Sequence, residues 1–383
     1  MLTLYVAGIF LSMVVIWRAC DGFEAASQYL GRNLTDGVRG ATINAVGSSM
    51  PELLTATIAL VIYSDKEGFA FGVGTTAGSA IFNSAVIPSL IIMTVLFFGI
   101  ATKIQVSRKV ILRDGLSLLA AEVLLIWVLA GQTLDWYHGA ILIVAYAVYI
   151  FITLTGSPNG PDEEGNKAQP EIDASTEPEF RTDSRLFSLG VLDLEYGVLG
   201  NKEINTGRAW WLLIVAIGVI SVACHILVES CYGIGDVMSI NTYFVAVILA
   251  AAATSVPDTI LSLKDSMAGE YDDAVANALG SNIFDVCVCL GLPLFLYCLV
   301  TGDTVGVSTA NQGSVTELRV FLLGSTVAVF LLFLIGKTMN LFKGVLMAVI
   351  YFAFILFIFG RAADNPLASQ IGGWLQGFLM LFG

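Results

Sequence analysis

Three acidic residues stand in stretches that hold no basic residue. Glu52, Asp258 and Asp285 fall within 40–65, 239–263 and 265–300, and neither these nor 67–102 contains a Lys, Arg or His. Each acid has an oxygen-bearing neighbour at helical spacing. Ser48 lies four residues before Glu52, Thr254 four before Asp258, and Ser281 four before Asp285; Ser79 likewise precedes Asn83. Residues four apart share one helix face, so four helices can each turn a hydroxyl plus a carboxylate or amide toward a common centre. Pro51 and Pro257 directly precede Glu52 and Asp258. Proline withholds the helical N–H, and its ring pushes away the carbonyl four residues back, here at Gly47 and Ala253. Local unwinding would free backbone oxygens, tolerable at membrane depth only where they line a cavity. Such an all-oxygen set suits hard cations such as Ca2+ and Na+; zinc and copper favour His and Cys. Three ionised acids carry the charge that three Na+, or one Ca2+ with one monovalent ion, would balance. Protonation is the other way to neutralise them.

The acids lie in two related segments. Ser48-Ser49-Met50-Pro51-Glu52 matches Thr254-Ser255-Val256-Pro257-Asp258, 206 positions on, and Gly78-Ser79-Ala80-Ile81-Phe82-Asn83 matches Gly280-Ser281-Asn282-Ile283-Phe284-Asp285, 202 positions on. A single Ser, Thr or Gly in a membrane helix usually serves packing. An intramembrane acid is a functional residue by default, and its duplication with proline and hydroxyls makes a packing role a poor account of the set.

The rest of the chain supplies helices to hold these segments. Of 383 residues 56% are hydrophobic and 13% charged, with mean hydropathy +0.82. That argues against a soluble enzyme or a disordered chain. A net charge of −13 argues against a nucleic-acid binder. About 20 apolar residues make a transmembrane helix, and ten candidates appear, near 2–17, 40–63, 69–100, 114–131, 138–155, 209–231, 239–263, 272–300, 318–336 and 344–360. Pro88 and Pro293 can kink the third and eighth. Counted on alternate sides, Lys and Arg divide 15 to 3, which sets the N-terminus outside and the sequon Asn33-Leu34-Thr35 inside, away from glycosylation. The first run, with no basic stretch ahead of it, reads as a true span and not a cleaved signal.

Residues 156–206 hold eleven acids and four bases and read as a solvated cytosolic linker, with the more apolar Leu186–Leu199 a candidate for order. The expected fold is therefore an all-α polytopic membrane protein of ten transmembrane helices in two inverted five-helix repeats. Its units are 1–155 with the motif 44–88, the linker 156–206, 207–363 with the motif 251–293, and a short tail, 364–383, whose apolar stretch Ile371–Phe382 is too short to span. The six cysteines, Cys20, Cys224, Cys231, Cys287, Cys289 and Cys298, show no zinc spacing and read as small core residues. Trp136, Trp210 and Trp211 read as interface anchors. Glu122 is set aside as peripheral to the ion path and His225 as a satisfied helix histidine.

In these motifs the sequence resembles the sodium/calcium exchanger family of the Ca2+/cation antiporter superfamily. That family's two repeats carry a Gly-Thr-Ser-x-Pro-Glu-like and a Gly-Ser-x-x-x-Asn/Asp motif, matched here over about Asn44–Pro88 and Ala251–Pro293. Ser255-Val256-Pro257-Asp258, Gly280–Asp285, Leu112-Arg113-Asp114 and the Trp136…Tyr146…Tyr149 pattern are most similar to its potassium-dependent branch. Leu261 stands where that branch usually has Thr, and Ser48 where many relatives have Thr. The resemblance implies Ca2+ extrusion driven by Na+ through alternating access, with or without K+ co-transport. It implies Glu52 and Asp258 as central Ca2+ ligands and oxygens from Ser48, Ser49, Thr254 and Ser255. Ser79, Ser281, Asn83 and Asp285 would complete the Na+ or K+ sites, and the carbonyls of Ala45 and Ala251 would reach Na+. No prosthetic group, nucleic acid or obligate protein partner is called for; the partners implied are Ca2+ and Na+, with K+ in the potassium-dependent branch, and the lipid of a plasma or organelle membrane.

Gly233-Ile234-Gly235-Asp236 resembles the Gly-x-Gly-Asp of intramembrane aspartic proteases, but Asp236 is expected in a loop and no partner aspartate precedes it; the chain is read as no enzyme. A cation channel would use the same oxygens as a continuous filter, whereas broken helices in inverted repeats favour a carrier. An H+-coupled Ca2+ exchanger would carry a Gly-Asn-x-x-Glu motif, which is absent.

Overall fold

The computed structural model describes residues 1–32, 43, 45–63, 66–131, 133–155, 194–200, 204–306, 309–336 and 338–380, with backbone only at 66–67, 309–312 and 378–380. The sequon at Asn33, Lys337 and most of the linker lie outside the described residues. Besides helices and the turns that connect them, the described chain holds two-residue strands β1 (Thr133–Leu134) and β2 (Val305–Gly306), paired antiparallel with Thr133 opposite Gly306, and an isolated bridge between Ile104 and Met339. Among the described residues, eight helices are long and apolar enough to cross a membrane: Leu2–Leu30, Gly68–Phe97, Trp136–Thr155, Thr206–Met238, Thr242–Met267, Tyr271–Thr301, Gly313–Leu334 and Leu341–Ala362.

In chain order the helices are α1 (Leu2–Leu30), α2 (Ala45–Ser48), α3 (Met50–Ile62), α4 (Lys66–Phe97), α5 (Arg108–Val128), α6 (Trp136–Thr155), α7 (Leu194–Leu199), α8 (Thr206–Met238), α9 (Thr242–Val245), α10 (Ala251–Thr254), α11 (Val256–Met267), α12 (Tyr271–Phe284), α13 (Leu290–Thr301), α14 (Thr309–Leu334), α15 (Leu341–Ala362) and α16 (Pro366–Met380). Wider π-turns, Ala246–Ala250 and Asp285–Cys289, join α9 to α10 and α12 to α13.

Two expected boundaries were too short. α1 continues to Leu30, past Arg18, Asp21 and Glu24, because its second half packs on protein: Phe23 and Ala26 are buried, and Gly22 lies against Leu194 and Leu212. Hydropathy marks where lipid contact ends, not where the helix ends. α8 likewise runs to Met238, so Asp236 stands in a helix turn and not in a loop. The helix closes at Ser239, whose positive φ of 54° lets Ile240 N bond back to Gly235 O at 2.9 Å. α1 and α8 pack antiparallel: Tyr5 lies against Gly233 and Gly8 against Ser230 at one end, and Gly22 against Leu212 at the other.

The prolines act differently from one another. Pro51 and Pro257 each take the second position of a helix after a one-residue break, at Ser49 (φ −93°, ψ 7°) and Ser255 (φ −78°, ψ 0°). Pro88 lies inside the unbroken α4, and Pro293 in α13, beyond the π-turn that begins at Asp285. α4 runs through the middle of the fold and is buried from Phe69 through Ile81. It needs glycine at 78, where a Cβ would strike the Val247 carbonyl of the first π-turn.

Within the linker, Leu194–Leu199 is helical and Leu199 packs with Ala26, Ala209 and Leu212, which agrees with the expected order at the end of Leu186–Leu199. The tail forms α16, folded back so that Gln376 Nε2 donates to Glu317 Oε1 at 2.7 Å; Arg361 pairs with the same Glu317 at 2.7 Å. Trp136, Trp210 and Trp211 are all exposed within the first two turns of their helices.

Candidate cation-binding site

The two helix breaks and the two matched helices meet at one point. α2–α3 bring Ser48, Ser49 and Glu52; α10–α11 bring Thr254, Ser255 and Asp258. α4 contributes Ser79 and Asn83, and α12 with its π-turn contributes Ser281 and Asp285. All ten side chains are buried, and both Ala45 and Ala251 are fully so. Carboxylate oxygens of Glu52, Asp258 and Asp285 all lie within 4.8 Å of one another.

One hydroxyl holds the centre together. Ser79 Oγ is 3.1 Å from Glu52 Oε1, 3.1 Å from Asp285 Oδ2 and 2.8 Å from Ser255 Oγ. It has a single proton, so it can donate to only one of the two carboxylates at a time. Asp258 is better served: Asn83 Nδ2 donates to Oδ2 at 2.8 Å and Ser281 Oγ to Oδ1 at 2.7 Å. Glu52 Oε2 and Asn83 Oδ1 are buried without a hydrogen-bond partner among the described residues.

Two of the hydroxyls have backbone acceptors in their own helices. Thr254 Oγ1 donates to Ala250 O at 3.1 Å and Ala251 O at 3.2 Å, and Ser48 Oγ to Ala45 O at 3.4 Å. An oxygen that donates backward into its own helix presents lone pairs forward, as a cation ligand must. The same bonds occupy the carbonyls of Ala45 and Ala251, which also accept from Ser49 N at 3.1 Å and Ser255 N at 3.0 Å. Pro51 and Pro257 leave the carbonyls of Gly47 and Ala253 without the N–H that a helix would provide.

No ion pair among the described residues includes the three acids: Arg18 and Lys264 pair with Asp21, Arg113 with Asp114, and Arg361 with Glu317. A buried charge without a partner costs several kcal/mol. Three acids this close, short of donors and short of bases, repel one another until positive charge enters. The donor set is oxygen throughout and fits a hard cation.

Some contributors were not expected. Cys289 Sγ lies 3.7 Å from Asp285 Oδ1 and 3.7 Å from Ser49 O, and Cys224 Sγ 3.5 Å from Pro51 O. All six cysteines are free and buried, as read, yet two of them touch the site. The spacing of Asp285 and Cys289, four residues, was the available signal. Asn282 Nδ2 donates to Ser84 Oγ at 2.6 Å and ties α12 to α4. Asp114, in the Leu112-Arg113-Asp114 motif, binds Arg113 at 2.6 Å and Tyr149 OH at 3.3 Å, away from the acids. Tyr146 packs edge-on to Phe284, next to Asp285. Glu122 accepts from Thr326 Oγ1 at 2.6 Å, outside the centre. His225 is exposed on α8, not satisfied within a packed face.

The family model described as sodium/calcium exchanger protein matches residues 4–155 and 208–360, the two stretches that carry the acids and leave the linker out. Human sodium/potassium/calcium exchanger 5 is 26% identical over 360 residues, covering 75% of this chain and 70% of its own length. Among solved structures, the sodium-calcium exchanger NCX_Mj, soaked with 10 mM Na+ and no Ca2+, superposes with a TM-score of 0.56 at 20% identity over 93% of this chain and 99% of its own. An H+/Ca2+ exchanger, CAX, superposes with 0.60 at 12% identity over 98% and 92%. At such identities both likenesses speak for the fold alone.

Proposed function

The chain belongs to the sodium/calcium exchanger family, and from that premise we propose that it exchanges Na+ for Ca2+ across a membrane by alternating access, through the centre formed by Glu52, Asp258 and Asp285. It is an integral, multi-pass membrane protein of a family of ion exchangers, not of enzymes. The observation that carries the finer reading is the set of three buried carboxylates within 4.8 Å of one another with no basic partner and too few hydrogen-bond donors. Such a set is stable only while it holds cations or protons, and exchange of one cation load for another is what it can do chemically.

In this reading Glu52 and Asp258 grip Ca2+ from opposite sides, helped by oxygens of Ser48, Ser49, Thr254 and Ser255. Asp285, Asn83, Ser79 and Ser281, with the carbonyls of Ala45 and Ala251, complete the monovalent sites. The eight long helices, α5 and the broken α2–α3 segment make ten crossings, arranged as two inverted repeats, 1–155 and 207–363. The N-terminus is then outside and the linker 156–206 cytosolic, as the distribution of Lys and Arg argues.

K+ co-transport is the natural extension, since the human relative is by name a sodium/potassium/calcium exchanger. Leu261, buried on α11, offers no oxygen where that branch usually offers a hydroxyl. Reconstituted protein tests the reading directly: Ca2+ flux is measured in vesicles with Na+, K+ and H+ gradients imposed one at a time. Na+-dependent, electrogenic Ca2+ movement is expected. Movement driven by the H+ gradient alone, or Ca2+ passing at channel rates with no counter-gradient, would overturn it.

A further inference from the structure

The acids of the centre offer oxygen, but a sulfur stands beside them. Asp285 opens the second π-turn and Cys289 closes it; such turns are frequent at functional sites. Cys289 Sγ lies 3.7 Å from Asp285 Oδ1 and 3.7 Å from Ser49 O, at the one-residue break ahead of α3. As hydrogen bonds these contacts are weak, for the thiol has a single proton and is a poor donor. As separations between two ligands of one metal they are ordinary. A tetrahedral Zn2+ with sulfur at about 2.3 Å and oxygen at about 2.1 Å holds the two about 3.6 Å apart.

A fourth donor is at hand. Glu52 is buried, its carboxylate lies within 4.8 Å of that of Asp285, and its Oε2 has no hydrogen-bond partner among the described residues. The other cysteines lack such company. Cys224 Sγ meets the carbonyl of Pro51 at 3.5 Å and Cys298 Sγ that of Leu134 at 3.7 Å. Among the described residues Cys289 alone is hydrogen-bonded to a carboxylate. No Cys and His spacing in the chain forms this set; Ser49 comes to Cys289 from 240 positions away.

We propose that the centre has a second, soft mode of binding, in which Cys289 Sγ, Asp285, Glu52 and the Ser49 carbonyl capture a thiophilic divalent cation such as Zn2+ in place of the exchanged ions. Ca2+ is a hard cation and gains nothing from sulfur, whereas Zn2+ favours it. The thiol ligates as thiolate, so one proton leaves for water as each ion binds. An ion in transit must be bound weakly enough to leave. An ion gripped by sulfur stays, and Zn2+ therefore arrests Ca2+ movement. The arrest rests on the exchanger reading; the capture rests on the distances alone.

Co2+, which substitutes for Zn2+ at such sites, gives a readout independent of transport, because a thiolate ligand adds a charge-transfer band in the near ultraviolet. Full-length protein in lipid nanodiscs, titrated with Co2+, should develop that band, and Zn2+ or excess Ca2+ should each remove it by competition. C289S should abolish the band and C224S retain it. D285N keeps the thiol and should weaken Co2+ binding at least about tenfold, which decides the matter if C289S fails to purify. In vesicles, the Zn2+ concentration that halves Ca2+ flux should rise at least about tenfold in C289S. The soft mode is overturned by a wild-type protein without the band, by a band that survives in C289S or persists under excess Ca2+, by equal loss in C224S, or by unchanged Co2+ affinity in D285N. Equal Zn2+ sensitivity of flux in C289S and wild type overturns it as well. A Ca2+-sensitive band in a protein that moves no Ca2+ under a Na+ gradient would overturn the exchanger reading and leave the thiol site standing.

Discussion

Glu52 and Asp258 hold matched positions 206 residues apart, yet the protein receives them differently. Asp258 has a donor on each oxygen, from Asn83 and from Ser281. Among the described residues Glu52 shares one hydrogen-bonded donor, Ser79, with Asp285, and its second oxygen has none. The difference comes down to one pair of matched residues. Asn83 brings an amide that donates; its counterpart Asp285 brings a second acceptor and a second charge. One half of the centre is therefore held by hydrogen bonds, and the other is left short of donors. On the proposed reading the two halves differ at the position where charge count would set how many ions the centre holds.

The largest expected effects remove a charge from the matched acids. E52Q and D258N should each lower Ca2+ uptake into vesicles about 100-fold or more, since losing even a supporting residue of a metal site costs 10- to 100-fold, while the protein still inserts and purifies. Wild-type uptake in either variant would sink the site assignment.

Asn83→Asp makes position 83 resemble 285. Asp258 loses a donor and gains a like charge within reach, so KM for Ca2+ should rise about tenfold, the scale of one hydrogen bond to a charged group. The swap N83D/D285N restores the charge count and should recover part of the loss. An N83D variant with unaltered KM for both Ca2+ and Na+ would mean that the asymmetry has no role in binding.

The serines sharpen the comparison further. S79A strips the hydroxyl that serves both Glu52 and Asp285 and should raise KM about tenfold; S281A leaves Asp258 its Asn83 bond and should raise it about threefold. Equal effects would show that the two halves are alike after all. Smallest is C289S. A thiol is a weak donor and its contact with Asp285 is long, so flux within about twofold of wild type is expected, and a loss beyond tenfold would promote Cys289 from neighbour to participant.

Much of the centre was legible in the chain. A hydroxyl four residues before each acid, with no base nearby, already announced an oxygen-lined site, because helical spacing and Coulomb's law act locally. What escaped depended on packing. Asp236 was expected in a loop, since apolar patterning fades near 231, but α8 continues past the contact of its Gly233 with the Tyr5 ring of α1. α1 continues past Arg18 for a similar reason. Cys289 looked like core filling until the π-turn placed its thiol beside both Asp285 and the Ser49 carbonyl. Pro88 and Pro293 read alike in sequence, yet α4 stays unbroken around Pro88 while a π-turn interrupts the helix ahead of Pro293.

By itself the sequence determined the residue types: three acids, their hydroxyls, two helix-breaking prolines, and an all-helical chain too apolar to live in water. These follow from side-chain chemistry and from periods of a few residues. Only the tertiary structure decided who meets whom. Ser79 bridges two acids that are 233 positions apart in the chain, Asn83 of one half donates to Asp258 of the other, and Lys264 of α11 pairs with Asp21 of α1. Such pairings bring together segments some 175 to 243 residues apart, and no local pattern encodes them. They arise because burying four polar segments in one apolar fold leaves each of them only the others as partners.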